Sequence, residues 1–192
     1  LAAQQITEWI DEHNFNVPIA VNVSALQLTS AKFPAFYKAT VEDYDIPPAL
    51  LQLELTESAT AECLDDILPM LTSLRDFGCR IALDDFGTGY SSLSYLRTFP
   101  FDGLKIDRSF LNRLGANDED RSVIEAIIGL GHALSLTVTA EGIETQEHLA
   151  FLRSALCDEG QGYFLSRPLD IEGFCALLRV TLSAVTPASL ER

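Results

Sequence analysis

Arg80-Ile-Ala-Leu-Asp84-Asp85-Phe-Gly87 is the stretch that decides the fold. A short apolar, β-prone run gives out in two adjacent carboxylates and then a glycine. The same pattern recurs in Leu51-Gln-Leu-Glu54-Leu-Thr-Glu57, in Gly103-Leu-Lys105-Ile-Asp107 and in Leu136-Thr-Val-Thr-Ala-Glu141-Gly-Ile-Glu144. Carboxylates at the carboxyl ends of successive parallel strands converge on one face of an α/β sheet or barrel, where the active sites of such folds lie. Crowded acids without basic partners repel one another. The economical remedy is a divalent-metal site that handles phosphate.

Outward from these runs the chain alternates strand and helix. Helices are expected over residues 2–13 and 35–44, with strands over 18–24 and 51–56. Ile67, Met70, Leu71, Leu74 and Phe77 fall on one face at helical spacing, with Pro69 suited to the first turn and Gly78 to the C-terminal cap. A third strand over 81–84 runs into the loop Gly87-Thr-Gly89-Tyr-Ser-Ser92. A fourth over 104–107 leads to a helix that Asn117 or Asp118 can cap, with Val123, Ile124, Ile127, Ile128 and Leu130 as its apolar face. A strand over 136–140, a helix over 146–156, a strand over 162–165 and a helix over 171–182 complete the series. Residues 1–182 read as one domain and 183–192 as a tail or linker.

Such alternation implies parallel pairing with right-handed crossovers. Six strands fit an open doubly wound sheet, or a barrel short of the eight strands that about 250 residues usually supply. The opening helix has no strand before it, which favours the second. The expected class is α/β, a TIM-like (β/α)8 barrel lacking its first two strands.

The 192 residues, 47% hydrophobic with mean hydropathy +0.15, suffice for a sizeable core. The longest uncharged run, residues 126–140, contains Gly129, Gly131 and His132 and is too short to cross a bilayer. A cytoplasmic domain is expected, whose parent protein can be membrane-anchored elsewhere. A net charge of −15 argues against duplex nucleic acid, though bound metal ions can reverse the local field for a small anion. Cys63, Cys79, Cys157 and Cys175 form no C-x-x-C pair and read as reduced thiols; His13, His132 and His148 lie too far apart to suggest zinc. There is no serine or cysteine nucleophile with a positioned His and acid, and no Walker-type loop.

Residue chemistry alone leaves alternatives open. Asn22 offers a neutral oxygen to a hard cation or bonds its own backbone in a turn. Glu54 faces opposite to Leu53 and Leu55. Asp84 and Asp85 sit where the chain turns, so both can reach one cluster, or they simply initiate the turn. Lys105 either neutralises phosphoryl charge or salt-bridges Asp107 or another carboxylate. Tyr90, Tyr95, Tyr163, Phe86 and Phe164 can stack on a base or pack a core.

Asn22-Val-Ser24, Glu54-Leu-Thr-Glu57, Asp84-Asp-Phe-Gly-Thr-Gly89, Lys105-Ile-Asp107, Ala140-Glu-Gly-Ile-Glu144, Gln161-Gly-Tyr163 and Ser166-Arg167-Pro168 occur in that order. The series resembles the EAL-domain phosphodiesterases, from the first helix to about residue 180. The resemblance implies hydrolysis of cyclic di-GMP to linear pGpG, with two Mg²⁺ or Mn²⁺ ions. It makes Asn22, Glu54, Asp84, Asp85 and Glu141 the metal ligands, Asp84 bridging both ions. Lys105, with Asp85 and Glu141, carries the catalytic role, Asp107 supports them from behind, and Gln161 contacts substrate. Glu144 holds the loop Gly87–Gly89, where Thr88 supplies a hydroxyl, and this loop governs metal binding and a homodimer contact. A sensory or GGDEF-type domain is expected upstream. The chain begins past the family's Glu-Ala-Leu segment, which carries another ligand, so turnover is expected of the complete domain. The alternative is a catalytically inactive module that binds cyclic di-GMP or a protein partner; a dehydratase or aldolase on a similar barrel accounts for Lys105 but not for the ordered motifs.

Overall fold

The structure, a computed structural model, describes residues 1–61, 64–88, 93–114 and 118–185. Cys63, Gly89, Tyr90, Asn117, the tail beyond 185 and the side chain of Tyr95 lie outside this description. In chain order the elements are α1 (Ala2–His13), β1 (Ile19–Asn22), α2 (Ala25–Leu28), α3 (Phe33–Asp43), β2 (Leu51–Thr56), α4 (Glu57–Ala61), α5 (Leu64–Asp76) and β3 (Ile81–Phe86). There follow α6 (Leu93–Thr98), β4 (Gly103–Ile106), α7 (Arg108–Leu111), α8 (Asp118–Ala133), β5 (Thr137–Glu141), α9 (Gln146–Ser154), β6 (Glu159–Gln161) and α10 (Ile171–Val185). The strands form one parallel sheet in sequential order, β1 to β6, curled into a half-barrel. The expected barrel-type α/β class is borne out.

Alternation along the strands produces two unlike faces. Leu53, Leu55, Ile81, Leu83, Leu104, Ile106, Val138 and Ala140 are buried and join the main core beneath the helices. The opposite, inner face carries Gln52, Glu54, Ala82, Lys105 and Thr139 around a cavity of about 200 Å³. A parallel strand covered on both faces reads as a continuous apolar run. These strands do not, because their inner face is polar.

Register brings the acidic strand ends level. Asn22 is paired with Glu54, Thr56 with Asp84 and Glu141 with Gln161. Between β3 and β4 the register shifts across Leu83 and Phe86, and Asp85 within that shift has φ +55. A left-handed residue is uncommon outside glycine, though Asp tolerates it better than most.

Several boundaries differ from the sequence reading. The last strand is Glu159–Gln161, not 162–165, because the chain turns at Gly162 and folds over Ile143. Ile143 N–H donates to the Gln161 carbonyl at 3.0 Å and accepts from Phe164 N–H at 2.9 Å through its own carbonyl. Pro69 lies inside α5, which begins at Leu64, rather than in its first turn. It sits on the solvent side, where water can meet the carbonyl that its ring frees. Val123 is 44% exposed and leaves the apolar face of α8 to Ile124, Ile127, Ile128 and the partly buried Leu130. α10 runs three residues past 182 and packs on α1, with the Trp9 and Phe174 ring centroids 5.0 Å apart. Among the described residues no helix is long and apolar enough to cross a membrane.

Two glycines in α8 show how closely helix meets sheet. A Cβ at Gly131 would collide with Val138 Cγ2 on β5, whereas one at Gly129 would meet nothing within 4 Å. Gly131→Ala should therefore destabilise by about 1–3 kcal/mol through overpacking, against its helical-propensity gain. Gly129→Ala should stabilise by up to about 1 kcal/mol. Urea unfolding of the two variants checks the opposite signs.

Candidate metal centre

At the carboxyl ends of the strands, Lys105 of β4 reaches three carboxylates on three other strands. Its Nζ lies 2.9 Å from Glu54 Oε1, 3.2 Å from Asp84 Oδ1 and 2.7 Å from Glu141 Oε1. Both sequence alternatives for Lys105 meet here: it is a salt-bridging residue and it sits amid the candidate ligands, but its partners do not include Asp107. Burial works against its charge, yet the hydrogen bonds it donates to Glu141 and Glu54 outweigh this and raise its pKa. Among these carboxylates the charged form of Lys105 is favoured.

Asp85 reaches the same centre although adjacent strand residues point to opposite faces. Its left-handed backbone turns the side chain back, and its N–H donates to Asp84 Oδ1 at 3.0 Å. One carboxylate oxygen from each of Asp84, Asp85 and Glu141 lies within 4.8 Å of the others. Burial, then the charge of Asp84, then that of Asp107, push the Asp85 carboxyl above its usual range against the pull of Lys105 and Arg108. Glu141 is also raised, by burial first and by Asp84 and Glu54, despite Lys105. An all-oxygen donor set of clustered carboxylates fits a hard divalent cation.

Register sets Asn22 beside Glu54 at the end of β1, an exposed position on the inner side. Gln161, paired with Glu141, lines a cavity of about 700 Å³ together with Asp85 and Glu141. Asp107 caps α7 by accepting from Ser109 N–H at 3.0 Å. Burial would raise Asp107, but the Ser109 and Arg108 hydrogen bonds and the Arg108 charge together hold it below the usual carboxylate range.

Among the described residues of the loop after β3, Gly87 and Thr88, the contacts are not the ones expected of Glu144. Gly87 N–H donates to Glu57 Oε2 at 3.2 Å, and Thr88 Oγ1 donates to the Asp85 carbonyl at 2.9 Å. Glu144 is exposed on the rim of the large cavity, and its N–H faces His148 Nδ1 at 3.4 Å. The reason is topological: Glu57 follows β2, the direct neighbour of β3, whereas Glu144 follows β5, two strands away. Glu57, only 4% exposed, carried a signal in the sequence, an acid three residues after Glu54 where the strand ends.

The sequence reading also gave no role to the cavity's cations, Arg108, which it did not name, and Arg167, which it quoted only within Ser166-Arg167-Pro168. The Arg167 guanidinium stands 4.9 Å over the Tyr163 ring centroid, and Tyr163 is 59% exposed, so this ring is no core residue. Phe164 is 42% exposed, whereas Phe86 is 7% exposed and belongs to the core.

Comparison with known proteins agrees with this geometry. YkoW, a signalling protein of Bacillus subtilis, is 42% identical over 173 residues, 90% of this chain and 22% of its own length. NbdA of Pseudomonas aeruginosa, named a cyclic di-GMP phosphodiesterase, is 42% identical over 161 residues, 84% of this chain and 21% of its own. The chain thus spans about a fifth of these relatives. The solved PaMucR phosphodiesterase in its c-di-GMP complex superposes with a TM-score of 0.85 at 39% identity, covering 90% of this chain and 70% of that one. The EAL domain family matches residues 1–168, and with four carboxylates gathered around one buried lysine at its strand ends, the chain belongs to that family.

Proposed function

We propose that this chain is the phosphodiesterase part of a larger protein and hydrolyses cyclic di-GMP to linear pGpG. The observation that carries the reading is the convergence of Glu54, Asp84 and Glu141 on Lys105, with Asp85 turned in beside them. The names of relatives such as NbdA and the c-di-GMP held by PaMucR support the substrate. The same acids at intact strand ends favour cleavage over a silent binding module.

Asn22, Glu54, Asp84, Asp85 and Glu141 are the residues that would hold two divalent cations, Mg²⁺ or Mn²⁺. When bound, such ions make water acidic and offset charge on phosphorus. In hydrolysis the water oxygen joins phosphorus, one P–O3′ bond breaks, and the 3′-oxygen takes up a proton. Lys105 would serve as cation and hydrogen-bond donor toward the phosphoryl oxygens. Gln161 and the exposed Tyr163 lie in the cavity that leads away from the acids, where the remainder of a dinucleotide would rest. Asp107 acts through α7 and its cap. Glu144, on the rim, is available to substrate, and the loop at Thr88 is anchored by Glu57.

For the setting, the chain's share of its relatives supports further domains, of sensory or GGDEF type, in the parent protein. The unbridged Cys79, Cys157 and Cys175 support a reducing compartment, the cytoplasm. A homodimer is part of the same proposal, by family resemblance.

Asp84→Asn in the full-length protein should lower pGpG formation by roughly 10²–10³-fold or more, since it removes charge at the reacting centre. The melting curve should remain cooperative. Turnover near the wild-type rate sinks the assignment.

Cation affinity should also follow the raised carboxyls of Asp85 and Glu141. Protons compete with the ion, so Mn²⁺ affinity should be full well above their pKa values. It should fall as pH drops through a window lying above the ordinary carboxylate range. Calorimetric titration at stepped pH reads this directly; an affinity flat down to that range contradicts it.

A further inference from the structure

The two candidate ligand turns share a neighbour. After β3 the chain passes Asp84 and Asp85 to Gly87, with φ +93; after β5 it passes Glu141 to Gly142, with φ +75. A Cβ on Gly87 would lie 2.5 Å from Phe110 Cζ, and one on Gly142 would lie 2.5 Å from Arg108 Cβ and 3.2 Å from Arg108 Cα. Both glycine backbones thus press on α7, one on each side. A side chain on Gly87 would displace the Phe110 ring, and one on Gly142 would run into Arg108 at the helix backbone.

α7 is well seated for a helix of four residues. Asp107 caps it through Ser109 N–H, Leu111 is fully buried, and Phe110 packs against the main core. It follows directly from β4, the strand of Lys105. The element that bears the central lysine therefore also spaces the acids on either side of it. The Gly87 turn is pinned from its other side by Glu57, so movement of Phe110 would be transmitted to the left-handed Asp85 rather than absorbed by solvent.

We propose that α7 is a wedge that sets the separation of Asp84 and Asp85 from Glu141, with Phe110 and Arg108 as its two positioning residues. The inference rests on the reading of these acids as cation ligands. Phe110 does not line the cavity beside the acids; it acts through Gly87. Its removal lets the Gly87 turn relax inward and spreads the oxygen set that a small cation must span.

The test is calorimetric Mn²⁺ titration of the full-length protein, with Asp84→Asn as the blank that defines the site. Phe110→Ala should weaken Mn²⁺ about tenfold or more, the range seen when residues supporting a ligand are removed. Phe110→Leu should fall between Ala and wild type, and it decides the matter should Phe110→Ala fail to fold. Gly142→Ala should weaken Mn²⁺ from the other side of the wedge. Ile128→Val and Ile128→Ala are the controls, losing buried core packing on a different helix, α8. Graded loss in the Phe110 series beyond the Ile128 controls supports the wedge. Phe110 variants that bind Mn²⁺ as the controls do overturn it while leaving the metal reading intact. A wild-type protein no better than the Asp84→Asn blank overturns the metal reading and the wedge with it.

Discussion

A single ammonium holds together acids from three strands. At a separation of 4.8 Å, two carboxylates in a medium of effective dielectric about 20 repel by about 3–4 kcal/mol. Glu54, Asp84, Asp85 and Glu141 multiply that cost, and burial adds to it. Lys105 stands where its one charge offsets most of them, within 3.2 Å of three. One positive charge among four negative ones still leaves the centre acidic. Burial first, and this excess of negative charge second, raise the Asp85 and Glu141 carboxyls above their usual range. Such a centre gains most from a divalent ion, which delivers more charge in less space than a second lysine could.

This constraint explains the polar inner face. A barrel interior filled with branched aliphatic side chains would leave Lys105 and its partners no path to one another. Instead, small or polar residues such as Ala82, Gly103 and Thr139 line the way beneath the lysine, and the aliphatic residues are committed to the helix-facing side. Stability comes from one face of the sheet and chemistry from the other. The helices pay for this by approaching the outer face closely, as Gly131 over Val138 shows.

The same division governs the turns. Adjacent residues of a regular strand cannot both face the centre, so the pair Asp84 and Asp85 requires a break in the ladder. The break is local: a register shift, a left-handed Asp85, and a Gly87 pinned by Glu57 beneath and Phe110 beside it. Irregular backbone of this kind persists where surrounding structure over-determines it. Here α4 and α7 supply that surrounding structure, each starting directly after an acid-bearing or lysine-bearing strand.

By itself the sequence determined the βα alternation, the parallel sheet and which strand ends carry acids. These follow from local periodicity and from the position of each carboxylate after an apolar run, as at Leu83-Asp84. It also placed Glu54, Asp84, Asp85, Lys105 and Glu141 along successive strands, since a motif series preserves order along the chain. Only the tertiary structure decided who touches whom across strands. That Lys105 meets Glu54 and Glu141 but not Asp107, and that Glu57 rather than Glu144 anchors the Gly87 turn, depends on strand adjacency and register. A three-residue offset looks alike after β2 and after β5; their distances from β3 differ. The exposed ring of Tyr163 was hidden for a related reason: residues 162–165 read as a strand until the backbone at Gly162 is seen to turn over Ile143. Local pattern fixes what each segment can be, and long-range packing fixes what it faces.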